Sequence, residues 1–271
     1  MHRYAIFGHP LGHTLSPQIH QKFAHQTHQL IDYQAIDVAP EYFEAVVMEF
    51  FQAGGMGANL TVPYKEKALA LCDVLSYEAR KSGAVNTLMR QTDGAIFGHN
   101  TDGDGLLNHL LSEKIDLKGC SVLLIGAGGA AKGVLATLLS YPIASVCLIN
   151  RTLSKAQSIK ELYPQEKRLQ VLPWLEVKQG FDLIINATSA SLHGDKLNLD
   201  SSLIKSSTIC YDMMYGKDKT LFNQWASGLG AGKIFDGLGM LIHQAALGFE
   251  LWRQVSPDIP PVYLEIREQI L

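Results

Sequence analysis

Short apolar runs alternate with stretches of helical periodicity along most of the chain. Residues 121–125, Ser-Val-Leu-Leu-Ile, form one such run, and a helical stretch over 132–140 follows it. Runs at 145–149, 169–172, 182–186, 208–211 and 233–235 repeat the pattern. Strands that alternate with helices predict a parallel sheet covered on both faces. The first hundred residues are also α/β but less regular. Strands are expected at 4–8, 31–37 and 57–62, the last stopped by Pro63, with helices at 42–51 and 65–72. Ser16 and Pro17 suit the N-cap and first position of another helix. Residues 84–90 and 95–98 read as paired strands around the turn Thr92-Asp93-Gly94. A helix over 102–113 joins the halves, and a long one over 241–255 follows Asp236-Gly-Leu-Gly-Met240.

Between the strand at 121–125 and its helix stands Gly126-Ala-Gly-Gly-Ala-Ala131, which fits the G-x-G-x-x-G/A dinucleotide fingerprint. Gly126 permits the tight turn, Gly128 the approach of a pyrophosphate, and Ala131 close packing of helix on strand. The helix N-terminus offers free N–H groups and a positive dipole end. The end of the second strand selects the dinucleotide. NAD sites place a carboxylate there to hold the ribose hydroxyls. Residues 148–155 contain none, but supply Asn150, Arg151, Thr152 and Lys155. Two cations at a helix start oppose the dipole unless an anion lies between them, so NADP with its extra phosphate is expected.

Composition narrows the field. A chain of 271 residues suits one large or two medium domains, and a net charge of −3 gives no case for nucleic acid or an anionic membrane. No apolar run reaches about 18 residues, so no transmembrane helix is expected. Met1-His-Arg-Tyr leads straight into a strand without a signal-peptide pattern. Cys72, Cys120, Cys147 and Cys210 are scattered in apolar surroundings and read as reduced core thiols of a cytoplasmic protein. His9 and His13 have helical spacing, but Pro10 and Gly12 forbid the helix, so no metal site is expected.

Four polar clusters lie at expected strand ends in the first half: Gly12-His-Thr-Leu-Ser-Pro17, Asn59-Leu-Thr-Val-Pro-Tyr-Lys65, Gly83-Ala-Val-Asn-Thr87 and Gly98-His-Asn-Thr-Asp-Gly-Asp-Gly105. They offer neutral donors, one Lys and one Asp. That set suits a small, polyhydroxylated anion. YAIFGHPLGHTLSPQIH, GANLTVPYK, GAVNTL, GHNTDGDG, GAGGAAKG, NRT, NATSAS, YDMMY and DGLGMLIHQAA follow one another in that order. In this the chain resembles the shikimate dehydrogenase family from residue 4 to about residue 250.

The resemblance implies NADPH-dependent reduction of 3-dehydroshikimate to shikimate in aromatic amino-acid and chorismate biosynthesis. It implies an α/β fold of two domains. A substrate domain would span 1–101, completed by helices in 238–271, and an NADP-binding Rossmann domain would span 102–237. Lys65 and Asp102 match the family's catalytic pair. An ammonium beside the ketone can stabilise the developing alkoxide and donate a proton, while the carboxylate holds it in place. A close pair titrates as a unit, so which member moves the proton stays open. Thr14 and Ser16, with Tyr215, match the group that takes the substrate carboxylate. The family normally has Ser at the Thr14 position, and the added methyl bears on discrimination between shikimate and quinate. Asn59, Thr61, Asn86 and Gln244 match residues that bond the ring hydroxyls. Gly126, Ala127, Gly128, Gly129 and Ala130 match the pyrophosphate turn. Asn150, Arg151, Thr152 and Lys155 match the surround of the adenosine phosphate, with Lys155 where many relatives carry Arg. Thr188, Met213 and Gly237 match positions near the nicotinamide. His13 is expected to hold its loop. Other readings are an NAD-linked quinate/shikimate enzyme, a methylene-tetrahydrofolate dehydrogenase and a non-catalytic ligand sensor. The first conflicts with the missing carboxylate near Asn150. The second gives no reason for the Thr14/Ser16 pair, and the third gives none for retaining both Lys65 and Asp102. The protein is expected to be a monomer or homodimer whose halves close on cofactor and substrate.

Overall fold

The computed structural model describes residues 1–12, 14–190 and 194–270, so His13 lies outside the described residues. The first half runs β1 (His2–Gly8), α1 (Ser16–Gln26), β2 (Ile31–Asp37), α2 (Phe43–Gln52), β3 (Gly55–Leu60), β4 (Val74–Leu75), α3 (Tyr77–Ser82), β5 (Thr87–Arg90) and β6 (Ile96–His99). These strands form a mixed sheet in the order β2-β1-β3-β5-β6-β4. β1 is parallel to both β2 and β3. β5 is antiparallel to β3 and to β6. The C-terminal ends of β1, β3 and β6 therefore meet the N-terminal end of β5 along one edge. Alternation sorts the side chains by face. Tyr4 and Ile6 join α1 residues Ile19 and Phe23 in one buried layer. Ala5 and Phe7 join α2 residues Phe43, Val47 and Phe50 in the other.

The second half runs α4 (Asp102–Ser112), β7 (Ser121–Ile125), α5 (Gly129–Ser140), β8 (Ser145–Ile149), α6 (Leu153–Glu161), β9 (Leu169–Val171), β10 (Leu183–Asn186), β11 (Ile209–Asp212), α7 (Leu221–Gly228) and β12 (Lys233–Phe235). The sheet order is β12-β11-β10-β7-β8-β9, with every pairing parallel. This is the doubly wound order, with its switch point between β7 and β10. Both faces are covered, as expected. Val122, Leu124, Leu183 and Ile185 pack on α4 and α5. Leu123, Ile125, Ile184 and Cys210 pack on α7 through Phe222 and Ala226. Each large apolar side chain so enclosed contributes roughly 1.5–3 kcal/mol.

Two further helices, α8 (Leu238–Arg253) and α9 (Ile259–Ile270), return to the first sheet. Ile242, Ala245, Phe249, Val262 and Ile266 share the layer of Tyr4 and Ile6. Where α8 leaves the second sheet, it packs against α4. There the Met240 N–H donates to the Tyr211 hydroxyl at 3.1 Å, which leaves the hydroxyl proton for Nδ1 of His109 at 2.8 Å. Burial holds the His109 imidazole down at about 4, with His243 close by, and burial likewise lowers His243 to about 4.

Several elements depart from the sequence expectation. Ser16 is not the N-cap of α1. Leu15 occupies that place in helical geometry, and the Ser16 N–H is bonded to Thr14 Oγ1 at 3.3 Å. The expected helix over 65–72 is a short 3-10 turn, Lys67–Leu71. α3 and α7 fall where no element was expected. Cys147 and Cys210 are buried free thiols, pushed by burial to about 11 and about 12, whereas Cys72 and Cys120 are only half-buried. Among the described residues, no helix is long and apolar enough to cross a membrane.

Candidate active site

Lys65 follows β3 by way of Thr61 and the cis Val62–Pro63 bond, and Asp102 opens α4 directly after β6. Lys65 Nζ lies 2.6 Å from Asp102 Oδ2, with side-chain exposures of 14% and 4%. A carboxylate in the first turn of a helix is favoured by the helix dipole. Its second oxygen, Oδ1, accepts from Asn86 Nδ2 at 2.9 Å. The Asp102 N–H is bonded to Asn100 Oδ1 at 3.0 Å, and the Lys65 carbonyl accepts from the Val85 N–H at 2.7 Å. The pair, separated by thirty-odd residues, is therefore fixed from both backbones. This is a nearly dry ion pair with one small opening at the ammonium.

The same edge collects the other polar residues. Asn86 Oδ1 accepts from the Thr101 N–H at 2.9 Å and from the Thr87 hydroxyl at 2.9 Å. Gln244, from α8, brings Oε1 to 3.2 Å from both Asn86 Nδ2 and Thr101 Oγ1. Thr61 is half-buried at the end of β3. Asn59 is 4% exposed, and its carboxamide is fully engaged inside the protein. Its Oδ1 accepts from Tyr33 at 2.8 Å and pairs with His20 Nε2 at 3.1 Å, while its Nδ2 faces Thr87 Oγ1 and the Asn86 carbonyl. A direct bond from Asn59 to a ligand would require one of these to be released. Across the edge, the Thr14 hydroxyl lies 3.2 Å from that of Ser16. Ser16 also bonds the Tyr33 phenol, and the Leu15 N–H bonds the Tyr215 phenol. Burial raises the Tyr215 hydroxyl above its usual value, so Tyr215 presents a neutral donor beside the two small hydroxyls.

The glycine turn faces this edge. Gly126 has φ of +117°, a conformation L side chains rarely adopt. Its N–H bonds the Ile149 carbonyl at 2.8 Å, which places the turn beside the end of β8. Gly128 begins α5 in extended geometry, and a Cβ there would meet open space. One turn further along α5, a Cβ on Gly133 would lie 2.9 Å from Asn100 Oδ1 and 3.2 Å from Asp102 Cβ. The nucleotide-type helix thus lies directly against the Lys65–Asp102 pair. Lys132 adds a link to the Lys65 loop through Glu66 at 2.6 Å.

At the end of β8, Asn150 Nδ2 closes a turn on the Thr152 carbonyl at 2.8 Å. Arg151, Thr152 and Lys155 are exposed at the start of α6, and no ion-pair partner is found for either cation among the described residues. Past the switch point, Thr188 Oγ1 donates to Asn186 Oδ1 at 2.7 Å. Met213 is buried in the core, and the Gly237 N–H bonds the neighbouring Met214 carbonyl at 3.0 Å. Of the expected residues, Lys65, Asp102, Asn86 and Gln244 are joined by hydrogen bonds, with the start of α5 packed against the first two. Sequence reading missed Asn100, Thr101, Thr87, Tyr33 and His20. Asn100, Thr101 and Thr87 sit inside the polar clusters already noted, so that proximity was the available signal for them, whereas Tyr33 and His20 carried none.

Residues 6–88 match the shikimate dehydrogenase substrate-binding domain, 109–198 the shikimate/quinate 5-dehydrogenase domain, and 237–263 the shikimate 5′-dehydrogenase C-terminal domain. A shikimate dehydrogenase (NADP(+)) of Shewanella halifaxensis is 49% identical over 269 residues, covering 99% of this chain and 96% of the relative. The chain belongs to the shikimate dehydrogenase family. A second such enzyme, from Vibrio cholerae, is 46% identical over 268 residues, covering 99% of this chain and 96% of its own length. The crystal structure of shikimate 5-dehydrogenase from Thermus thermophilus in complex with NADP(H) and shikimate superposes with a TM-score of 0.88 at 35% identity, covering all of both chains. The substrate-binding match takes in β2, β3 and β4 with the end of β1, and the second match takes in β7 to β10.

Proposed function

We propose that the chain is an NADP-dependent shikimate dehydrogenase that reduces 3-dehydroshikimate reversibly to shikimate in aromatic amino-acid biosynthesis. The 2.6 Å Lys65–Asp102 pair lying against the glycine turn carries this reading. The donor set fits the cofactor. The turn at Gly126 is left-handed, the space before Gly128 is open, and Arg151 and Lys155 stand exposed where NAD sites carry a carboxylate. Gly126, Ala127, Gly128, Gly129 and Ala130 would hold the pyrophosphate. Asn150, Arg151, Thr152 and Lys155 would hold the adenosine phosphate, and Thr188, Met213 and Gly237 would line the nicotinamide end. Bound NADPH supplies the hydride.

The chain's own residues position the ring and handle the proton. Thr14, Ser16 and Tyr215 take the carboxylate through neutral hydroxyls, so the anion is bound without a fixed countercharge. Asn86, Thr61 and Gln244 meet the ring hydroxyls, with Asn59 behind them. Lys65 donates toward the oxygen that becomes a hydroxyl, and Asp102 keeps its ammonium aimed while balancing its charge. A polar site of this kind rejects analogues that lack the hydroxyls, because its own groups are then left unpaired. We assign 1–101 with α8 and α9 to a substrate domain and 102–237 to a cofactor domain. Both work in the cytoplasm, where the buried thiols stay reduced.

The test follows NADPH absorbance with 3-dehydroshikimate, then shikimate and quinate with NADP or NAD. Turnover of shikimate with NADP, well ahead of NAD and of quinate, is expected. Turnover of quinate with NAD in preference would overturn the assignment in favour of the quinate-linked enzyme. Absence of turnover with every pair would leave a ligand sensor.

A further inference from the structure

His20 lies on α1 with no exposed surface. Its ring stacks on Tyr33 at 4.3 Å and is closed in by Phe23, Phe249 and Trp252. Tyr33 is the one titratable group among these neighbours. The orientation of Asn59 fixes the His20 tautomer. The Asn86 backbone carbonyl, 3.3 Å from Asn59, can only accept, so the atom facing it must be the amide nitrogen. Asn59 Oδ1 therefore faces His20 and Tyr33, and a carbonyl there needs donors. His20 must carry its proton on Nε2. Its Nδ1 is then a bare acceptor, buried without a hydrogen-bond partner, and the other tautomer would leave an unpaired N–H there instead.

That proton is the second donor on Asn59 Oδ1, beside the Tyr33 hydroxyl, and it holds the amide in the one orientation the Asn86 carbonyl accepts. Asn59 Nδ2 donates to Thr87 Oγ1 at 3.2 Å. The Thr87 hydroxyl proton is then free for Asn86 Oδ1 at 2.9 Å. Asn86 in turn presents its Nδ2 to Asp102 Oδ1 at 2.9 Å. Reversal of Asn59 would put two carbonyl oxygens face to face and take the Thr87 hydroxyl away from Asn86.

We propose that His20 is a positioning residue whose Nε2–H, with the Asn86 carbonyl, locks Asn59 and its bond to Thr87 in place and so steadies the ring-hydroxyl end of the substrate site. The proposal rests on the functional reading above. Burial supports it by holding the imidazole down at about 3, so the ring stays neutral through the working range. His20 touches neither substrate nor cofactor in this scheme.

Two measurements test it on the full chain. In histidine labelled with nitrogen-15, the His20 ring, assigned by its absence in His20→Gln, should show a protonated Nε2 and a bare Nδ1. That pattern should hold from about pH 5 to about pH 8. An Nδ1–H tautomer, or titration inside that range, overturns the proposal. In kinetics, His20→Phe keeps the aromatic packing and removes the donor. It should raise the KM for shikimate about tenfold and leave the KM for NADP unchanged. His20→Gln returns an N–H to the same place and should recover shikimate KM to within about threefold. An unchanged shikimate KM in His20→Phe, or equal increases in both KM values, overturns it. If His20→Phe does not fold, the tautomer measurement decides. A wild-type protein that turns over no shikimate sinks the functional reading, while the ring measurement still judges the bond directions.

Discussion

The glycine turn of the second sheet and the polar edge of the first do their work in opposite ways. The turn is local. Gly126, Gly128 and the start of α5 are contiguous, and the groups offered to a ligand are backbone N–H groups and two exposed cations. The polar edge is assembled from afar. Asn86 reaches Asp102, Thr101 and, from α8, Gln244. A local device tolerates change around it, whereas an assembled one fails when any member moves. This contrast fits the proposed division of labour between a cofactor held by a local turn and a small ring held by an assembled edge.

The sharpest way to probe the difference is the pair at its centre. Lys65→Ala or Asp102→Asn should lower kcat by about 10²–10⁴, the usual range for a lost acid–base group. Binding of NADPH, followed by fluorescence titration, should stay nearly unchanged. A mutant that keeps full turnover would remove the pair from the chemistry. On the local side, Arg151→Ala with Lys155→Ala should raise the KM for NADP by about tenfold to about a hundredfold and leave that for NAD alone. Equal loss with both cofactors would mean that these cations do not read the phosphate.

The smallest effect comes from the histidines that bind the halves together. An unfolded imidazole takes its proton near pH 6.5, but folded His109 does so only at about 4. Between those values, unfolding takes up a proton. Stability is therefore full above about pH 6.5 and falls as the pH drops toward about 4. At about pH 5.5 the loss from His109 alone is roughly 1 kcal/mol. Denaturant midpoints that fall between neutral pH and mild acid, with the fall reduced in His109→Gln, are expected. A midpoint insensitive to this variant would rule His109 out as the source.

Legibility in the sequence follows the same division. The fingerprint, the parallel strands and the choice of NADP could all be read from contiguous residues, because each depends on neighbours along the chain. Lys65 and Asp102 were legible through resemblance, since nothing in their own surroundings says that the ends of β3 and β6 meet. Thr101 and Thr87 could not be told from ordinary turn residues until the antiparallel register of β5 placed them on Asn86. Ser16 failed as a cap for a local reason with a distant purpose. Thr14 takes its N–H, and its hydroxyl is turned toward Tyr33.

Helix α8 begins beside Met213 and brings Gln244 to Asn86 before Trp252 bonds the Leu88 carbonyl at 2.9 Å. It acts as a caliper. From Gly237 to Gln244 the rise is about 10 Å, at 1.5 Å per residue. One inserted residue between them would swing Gln244 by about 100° off Asn86. On the proposed assignment, the span between the nicotinamide side at Gly237 and the ring side at Gln244 is written into the length of a single rigid rod.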